Sequence, residues 1–181
     1  MKKIIIGTRG SKLAICQTRI VIDQLQKEFP NCKFDVKIIK TIGDKITNIN
    51  LSKINDKGFF VKEIQEQLLD KKIDVAVHSL KDMPIYLDKT NISTILKRED
   101  HRDVLVSNKK IELLKLKSSD SIGTTSIRRK IQIRNLNKSV KIIDVRGNVD
   151  TRVNKMIKGE CSALVLAAAG VKRLGLEKYI V

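Results

Sequence analysis

Four polar side chains of different chemistry follow a short apolar run in "IDVAVHSLKDMP", residues 73–84. The apolar residues predict a buried strand, and His78, Ser79, Lys81 and Asp82 come directly after it. Ligands of parallel α/β sheets bind beyond the carboxyl ends of the strands. The position of these side chains therefore predicts that they lie where the sheet would meet a ligand.

Asp82 is the acidic member of this polar run. Beside Lys81 in a cationic crevice, its pKa is expected to be lowered, so that the carboxylate stays ionised. Such a carboxylate repels an anionic ligand but stabilises a transient positive charge on it. The alternative is that Asp82 only caps the chain or pairs with Lys81. His78 fits either a general base or a structural hydrogen-bonding residue.

Three further strand-to-helix turns combine small polar residues with arginine: "GTRGS" (7–11), "GTTSIRR" (123–129) and "VRGNVDTR" (145–152). Free backbone N–H groups and the helix dipole favour an anion at a helix N-terminus, and arginine adds a bidentate clamp. Ser and Thr are also ordinary N-caps, so one such turn is weak evidence. Four of them in one chain predict an anion site.

The overall charge also indicates an anionic partner, because 37 Lys and Arg oppose 20 Asp and Glu in 181 residues, a net charge of +17. A lysine-rich solvated surface explains part of this excess. The sequence has no P-loop and no GxGxxG motif after the first strand. Nucleic acid is supported by charge alone, since the sequence lacks interleaved aromatic residues and helix-turn-helix or zinc signatures. A small ligand with several carboxylates fits better.

The elements that position these turns alternate between strand and helix. The sequence predicts strands over 2–8, 33–41 and 73–79, with helices over 11–29 and 59–72 between them. Ser11 is the predicted N-cap of the first helix. This order favours an α/β fold with parallel-rich sheets and helices on both faces.

The second half of the chain repeats this alternation, beginning with predicted strands at 92–98 and 103–108. The charged segment 97–103 between them is a candidate hinge, so the sequence predicts a first domain at residues 1–99 and a second at 100–181. The polar segment 43–58 has weak periodicity and is expected to be a mobile loop.

The cysteines and the N-terminus bear on the compartment. Cys16, Cys32 and Cys161 are widely spaced and form no metal-ligand pattern, which indicates reduced structural thiols and no metal site. No apolar stretch approaches the roughly 18 residues of a membrane span, and the N-terminal apolar run is too short for a signal peptide. We expect a cytoplasmic protein without a membrane partner, or an organellar one if a targeting segment has been removed.

Together the motifs resemble the hydroxymethylbilane synthase family, also called porphobilinogen deaminases. The shared stretches follow the family's order and cover nearly all of the chain: "TRGSKLA", "KGFFVKE", "DVAVHSLKDMP", "REDHRDVLVS", "IGTTSIRR", "VRGNVDTR" and "LVLAAAGVKRLGL".

The resemblance implies a transferase of tetrapyrrole and haem biosynthesis. Family enzymes join four porphobilinogen molecules head to tail with loss of ammonia, giving linear hydroxymethylbilane, and use a dipyrromethane cofactor bound to a cysteine. It also implies two lobes like those of type II periplasmic binding proteins. The alternative is a non-catalytic small-anion-binding module of that type.

The resemblance further assigns roles by position. Asp82 is the expected catalytic carboxylate, which stabilises the positive charge formed as ammonia leaves. The carboxylates of the cofactor are expected to meet a set of basic and hydroxyl residues: Lys81, Ser126, Arg128, Arg129, Arg146 and Arg152. The substrate is expected to meet a second set: Arg9, Ser11, Lys53, Lys57, Phe60 and Arg173.

The chain departs from the family at Val181. The third, α+β domain that carries the cofactor-attachment cysteine is expected to be absent, and none of the three cysteines matches its motif. The segment that returns to the first domain is also expected to be missing. We therefore expect an incomplete portion that is inactive alone, and that exists as a monomer or paired with a missing C-terminal portion.

Overall fold

The computed structural model describes residues 1–45, 60–84 and 90–181. The chain divides into two compact units, residues 1–97 and 98–181, and each contains one sheet with helices packed against it. The described strands of the first sheet are all parallel, whereas the second sheet is mixed. The predicted α/β class is confirmed.

The first unit has a three-stranded sheet of order β2-β1-β3, formed by β1 (Lys2–Thr8), β2 (Cys32–Ile38) and β3 (Val75–Ala76). Its helices are α1 (Lys12–Glu28), α2 (Ile42–Lys45) and α3 (Lys62–Leu69). The chain passes from β1 to β2 through α1. It then passes through α3 to β3, which pairs with the opposite edge of β1 from β2. Right-handed crossovers therefore place α1 and α3 on opposite faces of the sheet.

The predicted cap of α1 is confirmed. Ser11 Oγ accepts a hydrogen bond from the backbone N–H of Ala14 at 3.2 Å, which satisfies one of the free donors at the helix start. The helix ends at Phe29, whose N–H donates to Leu25 O, and Pro30 follows. This cap fixes the direction in which the chain leaves β1 and thus the position of the "GTRGS" turn.

The core of the first unit is aliphatic, as expected from an aromatic content of only 3%. Ile39, Ile64 and Ile73 form its buried cluster, and Ile6 in β1 has no exposed surface. Burial of each such side chain contributes roughly 1.5–3 kcal/mol before entropy is counted.

The second unit has a four-stranded sheet of order β4-β7-β5-β6, formed by β4 (Asp103–Val106), β5 (Ser121–Gly123), β6 (Lys141–Ile143) and β7 (Ala163–Ala167). Its helices are α4 (Ile127–Leu136), α5 (Val149–Ile157) and α6 (Ala168–Arg173). The core includes Val106, Val153, Leu164, Leu166 and Val171, all at most 1% exposed.

Strand β4 runs against the other three strands. Asp103, its first residue, lies opposite Ala167, the last residue of β7. The reversed direction brings Asp103 to the edge of the sheet where β5, β6 and β7 end. On its other side, β4 forms an antiparallel bridge from Val106 to Ile180.

Three predicted elements differ from the structure. Residues 92–98 form no strand, and Ile92 and Ile95 are exposed, because no described strand pairs with them. The strand expected at 73–79 is short, although ladder hydrogen bonds from Asp74 N to Ile5 O and from Val77 N to Gly7 O extend β3 by one residue at each end.

The predicted loop 43–58 begins inside α2, because Asp44 closes a turn on Thr41. The remainder of that predicted loop lies outside the described residues.

Within residues 1–45, 60–84 and 90–181, no helix has both the length and the apolar character needed to cross a bilayer.

Candidate functional site

The polar residues of the first unit gather at one edge of its sheet. Because β1 and β3 are parallel neighbours, Arg9 after β1 and the run from His78 after β3 leave the sheet at the same end. The last three residues of "HSLKD", Leu80–Asp82, form a single turn of 3-10 helix. The predicted gathering of these side chains within this unit follows from the parallel pairing.

Arg9 is held on two sides. Its Nε and Nη2 donate to Asp44 Oδ1 at 3.1 and 2.5 Å, and its guanidinium carbon lies 4.0 Å from the centre of the Phe60 ring. The structure therefore brings together two residues that the sequence assigned to the substrate side, Arg9 and Phe60. Asp44, which pairs with Arg9, was not among the predicted site residues.

His78 is a neutral imidazole at neutral pH. Burial lowers its pKa to about 4, and the charge of Arg9 acts in the same direction. Its Nε2 is buried and has no hydrogen-bond partner among the described residues. A base with so low a pKa does not match proton abstraction near pH 7.

The expected pKa shift of Asp82 is wrong in direction. Burial raises the pKa of the carboxyl above its usual value, and the positive charges of Lys81 and Arg9 offset only part of this effect. No side chain or backbone group in the described part of the chain donates a hydrogen bond to this carboxylate. Lost hydration thus outweighs the neighbouring cations.

The other predicted residues of this unit occupy different positions. Ser11 caps α1, and Lys81 is exposed beside Asp82. Ser79 donates from Oγ to Gln17 Oε1 at 2.9 Å, which ties the end of β3 to α1. Lys53 and Lys57 lie outside the described residues.

In the second unit, the "GTTSIRR" and "VRGNVDTR" turns follow β5 and β6, which are parallel neighbours. Ser126 is the N-cap position of α4, but its side chain makes no capping hydrogen bond. Arg146 lies half-buried between β6 and α5. Gly147 has a φ of +116°, which an L residue rarely adopts, and a Cβ there would lie 2.9 Å from Thr151 Cγ2.

One acid joins the two adjacent arginines of α4. Arg128 Nη2 lies 2.7 Å from Asp103 Oδ2, and Arg129 Nη2 lies 2.6 Å from Asp103 Oδ1. Arg129 also donates from Nη1 to Val165 O at 3.0 Å. Its side chain is 13% exposed, compared with 62% for Arg128, so the two guanidinium groups occupy very different environments.

Arg152 is the most unusual cation of the second unit. Its Nε is buried and has no hydrogen-bond partner among the described residues, and the same is true of Arg129 Nε. Burial lowers the pKa of Arg152, and the nearby charge of Arg129 lowers it further. A buried guanidinium beside a second one is costly unless an anion pairs with it.

Arg173 at the end of α6 is already engaged within the second unit. It donates from Nε and Nη2 to Glu99 Oε1 at 3.1 and 2.9 Å. The adjacent Asp100 pairs with Lys172 and Arg102.

Three acids that hold arginines were not among the predicted site residues, namely Asp44, Glu99 and Asp103. Each lies far from its partner along the chain, with separations of 35, 74 and 26 residues for the pairs to Arg9, Arg173 and Arg129. In the sequence these acids are marked only by their place in "TIGD", which has one acid, and in "REDHRD", which has three.

Comparison with known proteins gives one consistent result. A family model described as "Porphobilinogen deaminase, dipyromethane cofactor binding domain" matches residues 4–181. The chain belongs to the porphobilinogen deaminase family.

Curated porphobilinogen deaminases match along the whole chain. Those of Syntrophomonas wolfei and Clostridium novyi are 48% identical over 181 and 180 residues, covering 99% and 98% of this chain. That of Clostridioides difficile is 49% identical over 179 residues, covering 98%. This chain spans 59–60% of the length of these porphobilinogen deaminases.

Similarity to solved structures is more distant. The L-cystine solute receptor of Neisseria gonorrhoeae, in its unliganded open conformation, gives a TM-score of 0.48 at 11% identity, over 99% of this chain and 72% of that chain. An ancestral arginine-binding protein bound to glutamine gives 0.44 at 14% identity, over 98% and 74%.

The residues of the second unit fit the cofactor for which the matched porphobilinogen deaminase domain is named. Pyrroles with acetate and propionate side chains present carboxylates, and guanidinium groups pair with carboxylates bidentately. Arg129 Nε and Arg152 Nε are buried donors that lack partners in the described part of the chain. The donor set therefore suits a ligand with several carboxylates.

Proposed function

We propose that this chain is all or part of a hydroxymethylbilane synthase. It condenses four porphobilinogen molecules head to tail with loss of ammonia and gives linear hydroxymethylbilane. Membership of the porphobilinogen deaminase family supports this proposal.

The observation that carries the proposal is the pair of buried arginine Nε donors in the second unit, those of Arg129 and Arg152, which lack hydrogen-bond partners among the described residues. Arg152 has no acid partner among the described residues, and Asp103 serves both Arg128 and Arg129. The guanidinium of Arg152 is thus poorly hydrated and is not neutralised by an acid among the described residues. Ligand carboxylates would pair with this charge and recover the cost of burial.

Six residues would hold the carboxylates of the dipyrromethane cofactor: Lys81, Ser126, Arg128, Arg129, Arg146 and Arg152. When bound, the cofactor supplies the pyrrole to which further rings are joined. The protein's own contribution is to hold these carboxylates at fixed positions, so that the reacting carbon atoms meet with little loss of entropy.

Asp82 is the proposed catalytic residue. Loss of ammonia from porphobilinogen leaves a positive charge on the pyrrole and its methylene carbon. A carboxylate that is poorly hydrated interacts more strongly with such a charge than one in water. The burial that raises the pKa of Asp82 is the same feature that would make it an effective partner for this cation.

The substrate's own carboxylates would meet a second set of residues: Arg9, Ser11, Lys53, Lys57, Phe60 and Arg173. Arg9 would contribute charge, and Phe60 an aromatic face beside it. Arg173 would have to share its guanidinium with Glu99, to which it already donates.

Replacement of Asp82 by Asn tests the proposed function. We expect porphobilinogen affinity, measured by calorimetry on the 181-residue chain, to change by less than about threefold. We expect hydroxymethylbilane formation by the protein at its full encoded length to fall at least about a hundredfold, because a removed electrostatic stabiliser of the transition state costs roughly that much.

Asp70→Asn is the matched control, since Asp70 is exposed at the end of α3 and pairs only with Lys72 in the described residues. An Asp82→Asn variant with unchanged product formation would refute the catalytic role. Absence of any porphobilinogen binding by the unaltered chain and of product formation at full length would instead favour a small-anion-binding module with another ligand.

We also propose the cytoplasm as the compartment. Cys16, Cys32 and Cys161 are present as thiols, which suits a reducing environment.

A further inference from the structure

Thr41 holds the carboxylate of Asp44 in place independently of Arg9. The Oδ2 of Asp44 accepts hydrogen bonds from the backbone N–H and the hydroxyl of Thr41, at 3.2 and 2.9 Å. Thr41 has no exposed surface, so this carboxylate is fixed by a rigid residue. The other oxygen, Oδ1, accepts from Nε and Nη2 of Arg9.

The opposite side of Arg9 is equally constrained. The Phe60 ring lies against the guanidinium, at 4.0 Å from Cζ to the ring centre, within the range of a cation–π contact. Phe60 in turn packs on Gly43, because a Cβ at that residue would overlap Cε1 and Cδ1 of the ring. The "TIGD" turn thus supports Arg9 twice, through Asp44 directly and through Gly43 and the ring.

Two of the three guanidinium nitrogens face Asp44, and Nη1 makes no hydrogen bond to any described residue. Arg9 is half-buried and lies at the sheet edge near Asp82, whose carboxyl senses its charge. Its uncommitted edge is therefore the part that a ligand carboxylate can reach.

We propose that Asp44 is a positioning residue, which with Thr41, Gly43 and Phe60 holds Arg9 in one orientation so that Nη1 binds a substrate carboxylate. This inference rests on the proposed function for the identity of the ligand. Loss of Asp44 leaves the charge of Arg9 intact but frees its side chain, so binding then includes the entropy of ordering it again.

The experiment follows Arg9 itself by NMR in the 15N-labelled 181-residue chain. The Arg9 Nε–H signal is identified by its loss in Arg9→Lys. In the unaltered chain we expect it to be shifted upfield by the Phe60 ring and protected from solvent exchange. Asp44→Asn should abolish that protection and weaken porphobilinogen binding about tenfold, as expected for loss of a charge-assisted hydrogen bond.

Two further variants separate the parts of this support. Thr41→Val keeps the charge of Asp44 but removes the hydroxyl that fixes it, and we expect roughly threefold weaker binding. Gly43→Ala should displace the ring, so the Arg9 signal should lose its upfield shift. Asp70→Asn, an exposed acid-to-amide change on the same unit, should alter neither the signal nor the affinity.

An Asp44→Asn variant that keeps both the protected Arg9 signal and full affinity would overturn the proposal, as would one that loses the signal and binds equally well. If the unaltered chain binds no porphobilinogen and the protein at its full encoded length forms no hydroxymethylbilane, the proposed function fails. In that case the Arg9 signal still decides whether Asp44 positions the guanidinium, since its measurement requires no ligand.

Discussion

Acidic side chains hold several of the described arginines of the two units. Asp44 holds Arg9, Asp103 holds Arg128 and Arg129, and Glu99 holds Arg173. Arg152 differs, since its Nε is buried and finds no partner among the described residues. The paired arginines are therefore oriented by carboxylates of the chain itself, whereas Arg152 has no such partner among the described residues.

His78 gives a prediction at the level of one residue. Its pKa is lowered from 6.5 to about 4, so between these values the unfolded chain binds a proton that the folded chain does not. Stability should fall as pH drops from 6.5 towards 4, by an amount on the order of 2–3 kcal/mol. His78→Gln should remove this loss, measured as the difference in urea midpoints between pH 7 and pH 4.5.

His101→Gln, at an exposed position, serves as the control and should keep the pH dependence of the unaltered chain. Asp82 acts in the opposite direction, because its raised pKa adds stability as it becomes protonated. Asp44 and Asp103 have lowered pKa values and lose their contributions only below 3.8. The difference between the chain and its His78→Gln variant isolates the histidine, and equal pH slopes would contradict the prediction.

Among the elements, α5 depends on the turn that precedes it. Gly147 combines a φ of +116° with a close approach to Thr151, whereas Gly159 at the other end of the helix has a φ of +86° and open space around it. Gly159→Ala should cost about 1 kcal/mol through backbone strain alone. Gly147→Ala should cost roughly 2–3 kcal/mol, because the backbone strain and the contact with Thr151 act together.

Urea unfolding of both variants checks this difference, and near-UV spectra taken before unfolding show whether each native state is retained. Equal losses from the two substitutions would mean that the contact with Thr151 relaxes without cost.

Local sequence patterns predicted the helices and strands better than they predicted the contacts between side chains. The helix expected at 11–29 is observed at Lys12–Glu28, because apolar periodicity, Ser11 and Pro30 all act within a few residues. The prediction of a strand at 92–98 was wrong, because a strand must pair with a neighbouring strand and a local pattern does not reveal whether one is present. Likewise, the polar turns marked the arginines, but Asp44 and Asp103 reach them across 35 and 26 residues.

The pKa of Asp82 shows the same limit. Lys81 is adjacent to Asp82 in the sequence, and its positive charge led us to expect a lowered pKa for Asp82. Burial, which depends on how the whole unit folds, has the larger effect and reverses the direction.

At the scale of the whole molecule, the net charge of +17 predicts weak binding to any polyanion. We expect affinity for duplex DNA to fall about one decade per phosphate contact for each decade of salt. Porphobilinogen binding should depend less on salt, because buried guanidinium groups are screened less than exposed lysines. Fluorescence anisotropy for DNA and calorimetry for porphobilinogen, each at 50 and 200 mM salt, compare the salt dependence of the two affinities.

DNA binding that stays tight at 200 mM salt and competes with porphobilinogen would favour a nucleic-acid function instead.

The reversed direction of β4 has a mechanical consequence. Asp103 is its first residue, so the connection arriving from the first unit joins the second sheet at the acid that Arg128 and Arg129 share. Glu99 and Asp100, a few residues earlier, anchor that connection to the last turn of α6. Residues 99–103 are thus held to the second unit by three carboxylates, so this segment should move with the second sheet and not flex independently of it.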